Sequence, residues 1–297
     1  MIRFYSNGKV LLTGEYLVLH GAESIGLPTK MGQDLVINDR NDKIIEWTSY
    51  NIDKISWFNC LFKKDSLDIL KTNDFDIAKR LQNLLIVSKE LNPKFLISGK
   101  TITTSLTFDF KWGLGTSSTL VNNIAQWAEI NPYHLLEKTF GGSGYDIACA
   151  SSKSSLLYSL EAKKQKIKPI KFFPKFKKNL FFVYQNKKQN TRNSILKFKK
   201  KSIKYSTINQ ISKISKDLLI TTCIEEFKDL VFTHERIISE LLELNPLSEK
   251  FPDYQGCIKS LGAWGGDFLL AVGPEDSLNY FKNKGLNIGY NFDKFIL

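Results

Sequence analysis

The chain has 297 residues, 42% hydrophobic and 24% charged, with a formal net charge of +12. That length allows one large or two moderate domains with an ample core, and the composition is that of a globular protein rather than a disordered or fibrous one. Arg3, Asn7, Gly8 and Lys9 interrupt the start, so no signal peptide is expected, and the apolar runs at 84–87 and 268–272 are too short to cross a bilayer.

Strand-like patterns dominate 2–19, 34–47 and 54–62. Ile77, Leu81, Leu84, Leu85 and Ser88 mark one face of an amphipathic helix over 76–91. Alternation and a Thr-rich stretch predict a strand within 94–108. A helix is expected over 120–129, and Asn131 with Pro132 starts a short one reaching about Lys138. Residues 154–160 read as a strand that closes the first half. Strands are expected at 167–173 and 179–184, then long helices at 207–219 and 222–244, the latter ended by Asn245 and Pro246. Residues 253–261 read as helical. Strands at 268–272 and 286–290 flank a helix at 275–284. This mixture predicts an α+β fold, with a first domain over 1–165 and a second over 166–297.

Three glycine-rich segments stand out. The first, KWGLGTSSTL at 111–120, sets Gly113 and Gly115 before Thr116, Ser117, Ser118 and Thr119. Glycine lets backbone approach a ligand closely, and a helix start presents free N–H groups and the positive dipole end to an anion. A tight turn that merely caps a structural helix fits the segment equally well. It is neither a P-loop, having no Lys after the second glycine, nor a dinucleotide fingerprint, having no third glycine at that spacing. The second, GGSGYDIACA at 141–150, ends a glycine turn in Asp146, which is placed either to orient a substrate hydroxyl or to complement a helix dipole. The third, LGAWGGDFLLAVG at 261–273, reads as a hairpin turn or as a loop packed on another loop.

Together with GKVLLTGEYLVLHGA at 8–22, these segments resemble, in order and position, the galactokinase–homoserine kinase–mevalonate kinase–phosphomevalonate kinase (GHMP kinase) superfamily. The likeness is greatest to its phosphomevalonate kinase branch. It covers the order of motifs along nearly the whole chain, with detailed identity confined to four short blocks. The resemblance implies the two-lobed GHMP kinase fold: an N-terminal lobe like the second domain of ribosomal protein S5, an α/β C-terminal lobe, and the site between them. It implies ATP and Mg2+ as cofactors and a small-molecule phosphate acceptor, phosphomevalonate first and mevalonate second. A decarboxylase acting on mevalonate diphosphate and a non-catalytic nucleotide-binding homologue are the further alternatives.

The resemblance also assigns roles. Gly113, Leu114, Gly115, Thr116, Ser117 and Ser118 match the phosphate-binding loop, with Ser117 the magnesium-binding hydroxyl. Asp146 matches the catalytic base or orienter of the attacking oxygen, and Lys9 a lysine that offsets phosphate charge. Glu15, Tyr16, Ser143, Gly144, Gly262, Gly265, Gly266 and Asp267 fall on the substrate side. Phosphoryl transfer asks mainly for positioning and charge neutralisation, which this set supplies.

Several positions depart from the family pattern. Trp264 replaces a glycine of the third motif, Asn7 replaces a proline, and Leu135 stands where mevalonate kinases carry a second magnesium-binding Glu, with Glu137 nearby. Cys60, Cys149, Cys223 and Cys257 show neither a CxxC nor a metal-ligand spacing, and His20, His134 and His234 form no ligand pattern. Reduced thiols and a cytoplasmic location are the simplest reading. Lysines crowd 163–178 and 187–204 but alternate with apolar residues, as on strands with one solvated face. No nucleic-acid or membrane partner is expected, and the chain is expected to be a monomer or homodimer.

Overall fold

The computed structural model describes residues 1–162, 164–187, 198, 202–262, 264 and 266–297. The chain forms two compact units that interleave in sequence. The first comprises Met1–Gly8, Met31–Phe110 and Leu114–Ser151, the second Lys9–Lys30, Lys111–Gly113 and Ser152–Leu297.

The first unit is a sheet with helices. Strands β1 (Ile2–Leu11) and β2 (Ser24–Arg40) run through both units; β3 (Ile44–Tyr50), β4 (Ser56–Lys63), β5 (Ile69–Thr72) and β6 (Gly99–Leu106) belong to this one. The order is β5-β4-β3-β6-β2, antiparallel except for the parallel β3–β6 pair. Alternation aims Ile45 and Trp47, Phe58, Cys60 and Phe62, and Ile102 at a shared core, while the intervening side chains are less buried. Helix α1 (Phe75–Leu91) lays Ala78, Leu81, Leu84 and Leu85 on that core. Its first turn is capped by Asp74, whose carboxylate accepts from the Ile77 N–H at 3.0 Å. Helices α2 (Thr116–Trp127), α3 (Pro132–Thr139) and α4 (Tyr145–Ser151) complete the unit, and α2 packs against both α3 and α4.

In the second unit the first residues of β2 pair with β7 (Leu156–Glu161), which pairs with β8 (Lys164–Pro169). A separate antiparallel sheet has the order β10-β11-β9-β12, made of β9 (Leu180–Tyr184), β10 (Cys257–Ser260), β11 (Phe268–Val272) and β12 (Gly289–Asn291). The two inner strands, LFFVY and FLLAV, are buried along their whole length, as strands covered on both faces should be. Helices α5 (Tyr205–Ile220) and α6 (Ile224–Leu242) pack on each other, and α6 also packs on β10. Helices α7 (Ser277–Asn283) and α8 (Phe292–Phe295) lie against β9.

Three local expectations need correction. Residues 257–260 form a strand, not the end of a helix, because their backbone pairs with β11, Ser260 opposite Leu269. The first strand stops at Leu11, and Leu17–His20 is a 3-10 turn. Helix α2 starts at Thr116 rather than 120, because Gly115 turns left-handed and sets the hydroxyl run inside the first turn. Most of the basic stretch at 187–204 lies outside the described residues.

Candidate active site

The first glycine segment divides between the units after Gly113. In the first unit, Leu114 is buried and Gly115 caps α2 at φ 94°, ψ 41° with no side chain to close the helix end. The N–H groups of Thr116, Ser117 and Ser118 occupy the first turn, where a helix offers no acceptor of its own. Nearby hydroxyls turn inward: Ser118 Oγ donates to the Gly115 carbonyl at 2.9 Å, and Thr119 Oγ1 lies 2.7 Å from Gln33 Oε1. Ser117 is exposed. This is a positively polarised helix end that carries an exposed serine, which suits phosphate oxygens and a metal ion they hold. Among the described residues no three His, Cys, Asp or Glu side chains gather to hold a metal by themselves. Leu135 is wholly in the core and Glu137 is exposed.

The second glycine segment reaches α4 through left-handed Gly141, Gly142 and Gly144. Ser143 is buried, and its Oγ accepts from the Tyr145 N–H at 3.5 Å. Asp146 stands half-buried in the first turn of α4, with Oδ1 accepting from the Ile147 N–H at 3.2 Å. The α2–α4 packing brings this segment and residues 114–118 onto neighbouring helices of one unit. Burial pushes the Tyr133 phenol above its ordinary range, and Cys149 and Asp146 add to the rise. Tyr133 of α3 thus lies in the electrostatic neighbourhood of Asp146, and no motif or spacing in the chain singles it out.

In the second unit, Trp112 anchors the other half of the loop. Its ring lies 6.0 to 6.1 Å from those of Tyr184, Phe268 and Tyr290, on β9, β11 and β12. Gly113 follows at φ 70°, and a Cβ there would overlap the Asp267 carboxylate. Asp267 is itself left-handed, at φ 57°, and buried; its N–H donates to the Lys187 carbonyl at 2.6 Å. Gly262 also approaches the Asp267 carboxylate, and Gln185 Nε2 donates to the Gly266 carbonyl at 3.0 Å. The first and third glycine segments therefore meet at Gly113 and Asp267. The third is also the β10–β11 hairpin connection, so both readings of it apply. Gly265 lies outside the described residues. Trp264 is buried, and among the described residues its indole N–H has no partner.

Lys9 is half-buried in β1. Glu15 and Tyr16 are deeply buried. Glu15 Oε1 accepts from Lys259 Nζ, and Oε2 lies 3.4 Å from His234 Nε2. His234 Nε2 accepts from the Gly14 N–H at 3.0 Å, so the ring is neutral, in line with burial and Lys259 holding it well below its ordinary range. Glu235 accepts from the Ser260 N–H at 3.0 Å and Ser260 Oγ at 2.9 Å. These partners are scattered along the sequence. The only local trace is a lysine inside the short run CIKS.

Burial pushes the Glu15 carboxyl up to about 7; Lys259 opposes the rise and Glu235 adds to it. The folded state then holds a proton that the unfolded chain, with an ordinary value of 4.5, releases first. Stability from this group is full below the unfolded value and is lost as pH rises through the folded one. His234 contributes with the opposite sign below its ordinary value, so the clean comparison is a substitution. The melting temperature of Glu15→Gln minus that of wild type is expected to rise between about pH 5 and about pH 8. A difference independent of pH would contradict it.

The chain superposes on the mevalonate kinase of Methanococcus jannaschii with a TM-score of 0.71 at 18% identity, covering 98% of this chain and 97% of that one. For the Streptococcus pneumoniae phosphomevalonate kinase in complex with phosphomevalonate and AMPPNP, the TM-score is 0.72 at 16% identity, over 98% and 100% of the chains. For Lactococcus lactis galactokinase complexed with galactose, it is 0.69 at 14% identity, over 95% and 87%. No protein-family model and no curated protein sequence matches the chain. The chain has the GHMP kinase fold. Among the described residues no helix is long and apolar enough to cross a membrane.

Proposed function

We propose that this protein is a cytoplasmic, ATP- and Mg2+-dependent kinase that transfers the γ-phosphate to phosphomevalonate, with mevalonate as the second acceptor. The observation that carries the reading is the start of α2, where among the described residues no side chain caps the first-turn amides, while the neighbouring helix α4 presents Asp146. In this proposal the amides of Thr116, Ser117 and Ser118 bind nucleotide phosphates, and Ser117 Oγ with the phosphates holds Mg2+, which needs few protein ligands. The ion offsets charge on the transferred group, Lys9 adds to that effect, and Asp146 orients the acceptor oxygen or takes its proton. Trp57 supports a nucleobase subsite. Its ring stacks on Phe110 at 5.7 Å, and among the described residues its buried indole N–H has no partner. The neighbour solved with phosphomevalonate and AMPPNP supports the choice of acceptor and nucleotide.

The test is ADP release by the purified chain with ATP, Mg2+ and, in turn, phosphomevalonate, mevalonate, mevalonate diphosphate, homoserine and galactose. Turnover with phosphomevalonate above the others is expected. Turnover with galactose alone would end the isoprenoid reading, and nucleotide binding without turnover on any acceptor would end the kinase reading.

A further inference from the structure

The turn at 14–17 is strained in a specific way. Tyr16 has φ 62° and ψ −41°, and the Leu17 N–H donates to the Glu15 carbonyl at 2.7 Å. This is a three-residue γ-turn of the rare hand, at a residue with a full side chain. Gly14 before it is also left-handed, and a Cβ there would overlap Ser24. The Val18 N–H closes the turn on the Gly14 carbonyl at 2.9 Å, but the positive φ of Tyr16 remains a cost, which tertiary contacts offset.

Tyr16 packs on Phe198, ring centroids 5.0 Å apart, and the polar contacts beside it are wholly buried. Lys259, on β10, binds Glu15 and also donates to the Ser260 carbonyl at 2.8 Å. His234, on α6, takes the Gly14 N–H, and Glu235 beside it fixes Ser260. All four side chains are at most 2% exposed. With His234 neutral, ionisation of both carboxylates would leave one ammonium facing two negative charges. Glu15 Oε2 and His234 Nδ1 have no hydrogen-bond partner among the described residues. Such a cluster is a poor way to gain stability, because well-packed apolar groups commonly do as well or better. What it supplies is a fixed geometry for the backbone it grips.

We propose that Lys259 is a positioning residue that holds the strained Glu15–Tyr16 turn in the form the acceptor side of the site requires. This rests on the kinase reading above for the role of the turn. The hold on the turn itself stands on the geometry alone.

Lys259→Met by itself strands the Glu15 carboxylate and threatens folding, so the double variant Lys259→Met, Glu15→Gln carries the test; it removes both members of that pair, and Glu235 keeps its bonds from the Ser260 N–H and Oγ. It is expected to fold with a melting temperature near wild type and to bind AMPPNP within about twofold of wild type. Its KM for phosphomevalonate is expected to rise about tenfold or more, the order found when a site loses about 1.4 kcal/mol of substrate positioning. Hydrogen exchange at the amides of residues 14–18 is expected to quicken. Unchanged exchange at these amides together with an unchanged KM would overturn the proposal, because a merely structural pair is fully replaced by the neutral one. Exchange is read without turnover. If wild type phosphorylates no acceptor, the kinase reading fails, while exchange still decides whether Lys259 holds the turn.

Discussion

Asp146→Asn is expected to lower kcat with phosphomevalonate about 10²–10⁴-fold, the usual contribution of a positioned acid or base, while AMPPNP affinity stays near that of wild type. The side chain is not part of the core. It stands half-buried in the first turn of a seven-residue helix, where Oδ1 accepts from the adjacent Ile147 N–H. Asparagine keeps the shape and that acceptor but cannot take a proton. A carboxylate present only for the helix dipole would instead show its loss in stability, by about 0.3–1 kcal/mol, with kcat unchanged. Calorimetric titration with AMPPNP beside steady-state kinetics separates the two outcomes.

Gly113→Ala is expected to be the most damaging single-methyl change in the loop. The left-handed φ of 70° strains any residue with a Cβ, at a cost of about 1–3 kcal/mol. The added methyl also overlaps the buried Asp267 carboxylate, which is itself held left-handed. Either Asp267 is displaced or the loop between Trp112 and α2 shifts, and an ångström there is enough to misalign the first-turn amides. Loss of stability and an AMPPNP Kd raised about tenfold or more are expected, equivalent to about 1.4 kcal/mol of binding. Asp267→Gly added to Gly113→Ala removes the overlap but not the strain, and is expected to restore part of the loss. Wild-type affinity in Gly113→Ala would show that the close approach of these two segments does not matter to the nucleotide.

Much of the fold was legible where short-range physics decides it. Leu81, Leu84 and Leu85 recur at helical spacing and are buried on α1, and Asn131 with Pro132 opens α3 as their capping chemistry requires. The FLLAV strand runs over the expected residues. Expectation failed where partners are distant. Four residues, CIKS, have too little pattern to declare a strand, and they are one because β11 lies alongside. The hydroxyl run was expected ahead of its helix but lies within it, because a left-handed glycine with no side chain serves as the cap.

The candidate site divides in the same way. Glycine spacing pointed to Gly113 and Asp267 separately, but only the fold shows the carboxylate resting on the glycine. Glu15 drew notice through its motif, whereas its partner Lys259 is 244 positions away in the chain, and His234 and Glu235 sit in an otherwise ordinary amphipathic helix. A buried ion pair between such distant residues leaves no periodic trace, since each member by itself looks like a surface charge.

In the proposed enzyme the start of α2 receives the phosphates of ATP. A crystal structure of the protein with AMPPNP, Mg2+ and phosphomevalonate tests it most directly. Triphosphate oxygens are expected within hydrogen-bond distance, about 2.7–3.2 Å, of the Thr116, Ser117 and Ser118 amides, with Mg2+ against Ser117 Oγ and the acceptor phosphate facing Asp146. A nucleotide bound elsewhere, with those three amides turned to water, would contradict it.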